Sequence, residues 1–329
     1  MSGPLAISSL TLPVKPPLPN SRTWLSATQF AALDAAKTDA HRLCSGADGW
    51  AERLGSDALI CFKNDAARDS MNAELSAWCA GAKLSTGEAW SPQRVFGKFL
   101  PRQNEDRISP TLISGDPSLP ATTTVQEAGI RYGLDFSAGY SHGLFLDQRA
   151  NRALVRRVAP TRLLNTFAYT CSFSVVAALA GAETLSVDLS RKSLDRGREN
   201  FALNDINTET RHRFMADDVL DVLPRLARRG EKFDVIILDP PTFSRGNQGR
   251  RWQVEQHLED LIFAALEITT PTARVLLSTN CTKLDGRTME RMARFCLKTQ
   301  RRGGDFHREP ALPDFPPGHG ASTLWMTVR

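Results

Sequence analysis

From Leu163 to the C-terminus, short β-branched apolar runs alternate with longer stretches whose apolar positions recur at helical spacing. Leu163–Phe167, Thr184–Asp188, Arg213–Ala216, Phe233–Leu238, Arg274–Thr279 and Thr323–Val328 read as strands. Phe173–Ala182, Arg191–Asn204, Val222–Arg229, Arg251–Ile268 and Asp285–Lys298 read as the helices between them. Strand and helix in alternation predict a parallel, doubly wound α/β sheet, with the last strand as an antiparallel edge.

The first half of the chain is less regular. Residues 1–20 hold five prolines and no amphipathic period, which predicts a mobile or extended arm. The stretch from Ser26 to Leu43 has a Ser/Thr start, with Phe30, Leu33 and Ala36 at helical spacing. A glycine-containing loop then leads to a strand over Ala58–Phe62. Asp65–Ala82 predicts a second helix, started by an Asp and stopped near Gly81, with Met71, Leu75 and Trp78 on its buried face. From Gln93 to Tyr140 a small β subdomain is expected. Arg94–Arg102 alternates basic with apolar residues, as does a strand with one solvated face or one lying along a phosphate backbone. Thr122–Phe136 folds back around Ala128-Gly129. The expected division is a Pro-rich arm over 1–20, a smaller α+β substrate-binding region over 21–140, and the doubly wound domain over 141–329.

Composition narrows the class. Of 329 residues, 41% are hydrophobic, ample for a core, and no apolar run approaches the roughly 20 residues that cross a bilayer. The N-terminus carries no basic segment followed by an apolar run, so a cytoplasmic protein is expected. Six scattered cysteines without a Cys-x-x-Cys pair argue against a zinc site or a disulfide framework. A net charge of +5 favours a polyanionic partner.

The chemistry is expected at the strand ends. Phe233–Leu238 runs into Asp239-Pro240-Pro241, and prolines cannot continue a ladder, so the Asp239 carboxylate sits at a strand's C-terminal end. In an open parallel sheet that edge binds ligands. Asp188 and Asp218 stand at the ends of two further strands. Asp188 follows the first strand-to-helix turn by roughly 20 residues, the separation that puts a carboxylate on ribose hydroxyls. The turn itself, Ala168–Phe173, lacks the Gly-x-Gly-x-x-Gly fingerprint that cradles a pyrophosphate, which argues against NAD or FAD. A nucleoside ligand without phosphate, such as S-adenosylmethionine, fits better.

Four ordered motifs carry a family resemblance: Gly143–Arg149 with Asn151-Arg152, Asn165–Thr170 with Phe173-Ser174, Val187-Asp188, and Asp239–Ser244. Over roughly residues 90–329 they resemble bacterial 23S ribosomal RNA methyltransferases. The branches concerned are the PUA-containing cytosine-C5 enzymes and the guanine-N7 half of the bifunctional THUMP-containing enzyme. Residues 1–90 do not look like a PUA or THUMP domain. The resemblance implies a Rossmann-like class I methyltransferase that uses S-adenosylmethionine on a base of RNA. It implies that Arg149, helped by Gln148, pairs with the methionyl carboxylate. Asn165, Phe167, Tyr169 and Thr170 would line the turn under the methionine, Asp188 would take the ribose, and Asp218 the adenine amino group. Asp239, Pro241 and Phe243 would hold a flipped base beside the sulfonium. Cys171 stands where these enzymes have glycine, so its side chain is expected to narrow the cofactor pocket.

Two motifs bear on the target atom. Methylating cytosine C5 requires a temporary nucleophile at C6, normally a thiolate. Cys281 aligns with the family's nucleophile segment, although a small buried thiol is equally what a core cysteine provides. Against cytosine, Thr242-Phe243-Ser244 is closer to the guanine-N7 branch, where Asn280 would stand at the corresponding strand end. His142 reads as a local hydrogen-bonding residue, and His319 as shaping the pocket mouth. Arg245, Arg250 and Arg251 flank a loop beside the active edge and suggest RNA phosphate contacts. The favoured expectation is cytosine-C5 methylation of 23S ribosomal RNA. Guanine-N7 methylation, a small-molecule methyltransferase and a non-catalytic RNA-binding module stand as alternatives. No metal and no membrane are expected, and the sequence sets no oligomeric state.

Overall fold

The computed structural model describes residues 21–102, 105–245, 251–316 and 318–329. The proline-rich arm, and the loop residues between Arg245 and Arg251, lie outside them. Among the described residues a first sheet takes its strands in chain order. They are β1 (Thr23–Trp24), β2 (Ala40–Gly46), β3 (Gly49–Leu54), β4 (Asp57–Phe62), β5 (Arg94–Phe99) and β6 (Thr111–Ser114). Helix α1 (Ala27–Ala35) starts on a capping box, in which Ser26 Oγ accepts from the Gln29 amide while the Gln29 side chain accepts from the Ser26 amide. It does not run on to Leu43 as the spacing predicts. Lys37 turns left-handed at φ 52°, and Ala40–Gly46 extends as a strand between β1 and β3, so sheet pairing overrides a helical pattern. The β2–β3 hairpin needs Gly49: its φ is 152°, and a Cβ there would lie 2.0 Å from the Cys61 carbonyl oxygen. Helix α2 (Asp65–Cys79), capped by Asn64, buries Ala67, Met71 and Leu75 and connects β4 to the parallel strand β5.

Strand β5 corrects the sequence reading. A solvated basic face does not hold, because Arg94 and Lys98 are both buried, and Arg94 is taken up by the protein itself. Arg94 makes a bidentate pair with the fully buried Asp57, at 3.0 and 2.7 Å, and also donates to the carbonyls of Pro120 and Thr122. A guanidinium with every arm engaged can occupy a core position that its charge alone would forbid.

The hairpin β7 (Thr122–Glu127) and β8 (Ile130–Asp135) turns on Ala128 and Gly129, both at positive φ, as the dipeptide predicts. It joins the two halves of the molecule. Beyond it lies α3 (Arg149–Val158), an element the sequence reading did not assign.

The second sheet is built from β9 (Arg162–Thr166), β10 (Glu183–Asp188), β11 (His212–Ala216), β12 (Phe233–Leu238), β15 (Thr269–Thr279), β16 (Gly304–His307) and β17 (Ser322–Val328). Its order is β11-β10-β9-β12-β15-β17-β16. The first five strands are parallel, with α4 (Ser172–Leu179), α5 (Arg191–Leu203), α6 (Val219–Arg228), α7 (Val254–Leu266) and α8 (Gly286–Thr299) in the connections around them. Strand β17 is antiparallel as expected but is not the edge, because β16 pairs on its outer side. Two helix starts also differ. Asp218 caps α6 by accepting from the Leu220 amide, so α6 begins at Val219 rather than Val222. Arg251–Gln253 forms β14, paired with β13 (Phe243–Arg245), and α7 begins only at Val254.

Alternation along β12 assigns its faces. Val235 and Ile237 join a core that runs through Tyr132 of the hairpin to Leu59 and Phe96 of the first sheet. Ile236 and Leu238 face α6, α7 and α8 through Val222, Leu261 and Met289. One apolar core thus holds the two sheets together.

Candidate active site

The strand order reverses between β9 and β12, and in a doubly wound sheet the crevice at that switch point is where ligands bind. Here it opens into a cavity of about 1060 Å³. After β9 the chain makes a turn in which Phe167, Tyr169 and Cys171 all take left-handed φ, at 53°, 49° and 61°. Such alternation is costly for residues with a Cβ and is found where a site over-determines it. The turn is anchored: the Tyr169 hydroxyl donates to the Ser141 carbonyl and the Thr170 hydroxyl to the Gly143 carbonyl. Gly143 is required there, at φ 142°, since a Cβ would meet the Gly133 carbonyl oxygen at 2.8 Å.

Cys171 does not narrow the cavity. Its side chain points away, into α5, where the space is vacated by Gly197; a Cβ on Gly197 would come within 2.5 Å of the sulfur. The missing glycine of the turn is therefore offset by a glycine in the neighbouring helix.

The cavity gathers Gln148, Asn165, Phe167, Tyr169, Asp188, Asp218, Asp239, Pro241 and Phe243 on one wall system. Asp188 accepts from the backbone amides of Tyr169 and Ser190, each at 2.8 Å. Its burial nonetheless raises its pKa above the usual carboxylate value, and the two amide bonds oppose that shift. Beside it, Leu189, Val219, Leu220 and Phe167 make an apolar slot next to Asp218. Asp239 lies at the bottom, where loss of hydration pushes its pKa up to about 6. The Asp147 charge adds to the rise and a hydrogen bond from Ser278 opposes it.

That bond ends a chain of side chains which the sequence reading did not find. Trp325 Nε1 donates to Asn151 at 2.9 Å, Asn151 to Gln148 at 2.8 Å, and Gln148 Nε2 to Ser278 Oγ at 2.8 Å. The partners come from β17, α3, the turn before α3 and β15, so no local sequence pattern joins them. Arg152 was also missed as a wall residue, although it stands within the Gly143–Arg152 motifs. It is buried, pairs with Glu127 of the hairpin, and donates to the Phe145 carbonyl.

Three expected site residues stand off the cavity wall. Arg149 is engaged by Asp314 and the Ala40 carbonyl. Thr170 faces the Gly143 carbonyl. Cys281 is buried among the residues of α7 and α8, with its thiol 3.5 Å from the Glu255 carboxylate, while its neighbour Asn280 lines the cavity. Phe243 is 54% exposed at the rim and Trp252 Nε1 donates to the Pro241 carbonyl, which fixes the Asp-Pro-Pro segment. His142 is not hydrogen-bonded through its ring: among the described residues neither nitrogen has a partner. His319 lines two smaller recesses beside this cavity. No group of His, Cys, Asp and Glu among the described residues is arranged to hold a metal, and no described helix is long and apolar enough to cross a membrane.

A doubly wound sheet, a glycine-poor first turn and acids on successive strand ends define an α/β enzyme for a nucleoside-type cofactor. Residues 58–323 match the family model described as S-adenosylmethionine-dependent methyltransferase, and the chain belongs to that family. It is a methyltransferase that uses S-adenosylmethionine, and the cavity's residues fit that molecule: carboxylates for hydroxyls, an apolar slot for a base, and polar groups beyond it. Among relatives, a Bacillus subtilis protein provisionally named ribosomal RNA large subunit methyltransferase YwbD is 40% identical over 159 residues, covering 47% of this chain and 40% of the relative. Ribosomal RNA large subunit methyltransferase I of Salmonella arizonae is 36% identical over 167 residues, covering 50% of this chain and 41% of its own length. The matched region thus spans about 40% of these relatives. Among solved structures, a Streptococcus mutans protein provisionally described as an S-adenosylmethionine-dependent methyltransferase superposes with a TM-score of 0.71 at 23% identity, covering 93% of this chain and 82% of that one. One from Agrobacterium tumefaciens gives 0.65 at 23%, covering 88% and 90%. These two likenesses concern the fold.

Proposed function

We propose that this methyltransferase modifies a base of ribosomal RNA. The observation that carries the reading is the cavity itself. It continues past the apolar slot to Asp239, Pro241, Asn280 and the exposed ring of Phe243, where an unstacked base finds a stacking face and polar groups. The names of the two relatives support ribosomal RNA as the source of that base. In this reading Asp188 takes the ribose of the cofactor, and Asp218 with Leu189 and Val219 takes its adenine. Gln148, Asn165 and Tyr169 line the methionine end. Arg152, rather than Arg149, is the cation nearest the methionyl carboxylate, because Arg152 lines the cavity, held in place by Glu127, while Arg149 stands off it on Asp314. Residues 21–140 deliver the substrate, with the boundary near Tyr140.

For the target atom, the geometry favours guanine N7 over the cytosine C5 that the aligned cysteine suggests. N7 is a lone-pair nucleophile and needs only positioning. Asn280 on the wall supports this, as does Cys281 off it, turned toward α7 and Glu255. The test is to incubate the protein with labelled S-adenosylmethionine and unmodified ribosomal RNA, then map the product by mass spectrometry. One 7-methylguanine site is expected. Label confined to small molecules would overturn the RNA reading, and 5-methylcytosine would overturn the choice of atom.

A further inference from the structure

A second recess, of about 400 Å³, adjoins the cavity, and the first-sheet residues that line it have no role above. It shares Tyr140, Phe145, Tyr169 and Asn280 among others with the larger space, and the rest of its wall is divided between the first sheet, the segment around His142 and the chain around Phe315. There Arg42 lies between two rings, 4.7 Å from the centre of Trp50 and 4.1 Å from that of Phe315. Glu52 is buried and accepts from Trp50 Nε1 at 2.9 Å and from Arg42 at 3.5 Å. Lys98 is buried with its ammonium 4.0 Å from the centre of the Tyr140 ring, and among the described residues it has no carboxylate at ion-pair distance. His142 is buried with both ring nitrogens unpartnered, and Arg42 Nε is unpartnered as well.

Buried polar groups are as a rule hydrogen-bonded, so a cluster of exceptions lining one recess calls for a ligand that satisfies them. The ligand must offer a flat face to the aromatic rings, an anion to Lys98, and an edge with donors and acceptors to Glu52 and the neutral imidazole. A nucleotide has all three, and stacking with charge is how single strands are held. We propose that this recess binds the nucleotide adjacent to the methylated one, so that the first sheet reads substrate next to the reacting base. The inference rests on the RNA reading above and adds where specificity resides.

The test uses the full chain, labelled S-adenosylmethionine and ribosomal RNA, with Lys98→Met and Glu52→Gln. In both variants the KM for RNA should rise about tenfold, while kcat at saturating RNA and the KM for the methyl donor stay within about twofold. A merely structural role would move all three together. Should either variant fail to fold, RNA carrying 4-thiouridine is cross-linked to the wild-type protein with S-adenosylhomocysteine bound. Cross-links on Trp50 or Tyr140 are expected. An unchanged KM for RNA in the folded variants, or cross-links only elsewhere, overturns the proposal while leaving RNA methylation standing. Absence of any wild-type transfer to RNA overturns the RNA reading, and this inference with it.

Discussion

The first sheet buries Asp57 and Arg94 at the starts of β4 and β5, and Glu52, Arg53 and Lys98 within β3 and β5, whereas the central strands of the second bury aliphatic side chains along most of their length. In the second sheet polar residues such as Asn165, Thr166, Ser278 and Thr279 come at the C-terminal ends, next to the cavity. Where polarity falls along a strand therefore separates two uses of it. At the C-terminal ends of the second sheet it faces a ligand, and at the strand starts of the first sheet it fastens one part of the protein to another, as Arg94 fastens β5 to β4 and to the chain entering the hairpin.

The sharpest way to break that contrast is to cut the fastening. Asp57→Asn leaves the buried Arg94 guanidinium without its counter-ion and should destabilise the protein by about 3–5 kcal/mol, read from urea unfolding. Ile236→Ala, at the centre of the second sheet, should cost a comparable 2–5 kcal/mol through a cavity. The two losses differ in whether a second change repairs them. The Asp57→Leu/Arg94→Met pair should recover most of the first, because both charges go together. If the pair is no more stable than Asp57→Asn, the ion pair is not what Arg94 contributes.

The same contrast explains what the sequence made legible. Parallel strands covered on both faces are continuous apolar runs, so β9, β10, β12 and the helices between them stand out, and so do the acids that end them. The first sheet hides its burial behind charge: Arg94 and Lys98 read as solvent-facing because nothing nearby in the chain announces Asp57 or the Tyr140 ring. Strand β2 was hidden for another reason, since Ala36, Ala40 and Leu43 continue a helical spacing until the sheet claims them. The chain from Trp325 to Asp239 was invisible because its members meet only in three dimensions. Cys171 was legible as a departure, but its remedy, Gly197, sits a helix away.

At the strand ends, Asp188→Ala should lower S-adenosylmethionine affinity by roughly 30-fold or more, about 2 kcal/mol at least, by calorimetry. Wild-type affinity in this variant would remove Asp188 from the cofactor site. A pH-dependent effect of similar size separates Asp239 from Asp57 of the first sheet. Its native pKa of about 6 exceeds the unfolded value near 3.9, so the native state holds this proton more tightly. The stability it contributes is fully present below about pH 4 and is lost as pH rises through 6. Between pH 4 and 7 the wild type should lose about 2–3 kcal/mol relative to Asp239→Asn. Parallel pH curves for the two proteins would show that Asp239 titrates normally.

The smallest expected effect concerns the cysteine whose place in the sequence argues most strongly for catalysis. Cys281 follows the end of β15 but turns toward α7, with its thiol at the Glu255 carboxylate, so it belongs to the buried side of the strand end and Asn280 to the ligand side. Cys281→Ser should accordingly leave turnover within a few-fold of wild type, whereas Asn280→Ala should lower it about tenfold or more by loosening the base. A covalent route predicts the reverse. C5 of cytosine cannot take a methyl group until a thiolate has added at C6, so serine at position 281 would abolish transfer with cofactor binding intact. RNA carrying 5-fluorocytosine distinguishes the routes directly, because an adduct on Cys281 would be arrested and visible by mass. Such an adduct, together with an inactive Cys281→Ser, would mean that the strand end swings Cys281 into the cavity when substrate binds and would return the assignment to cytosine.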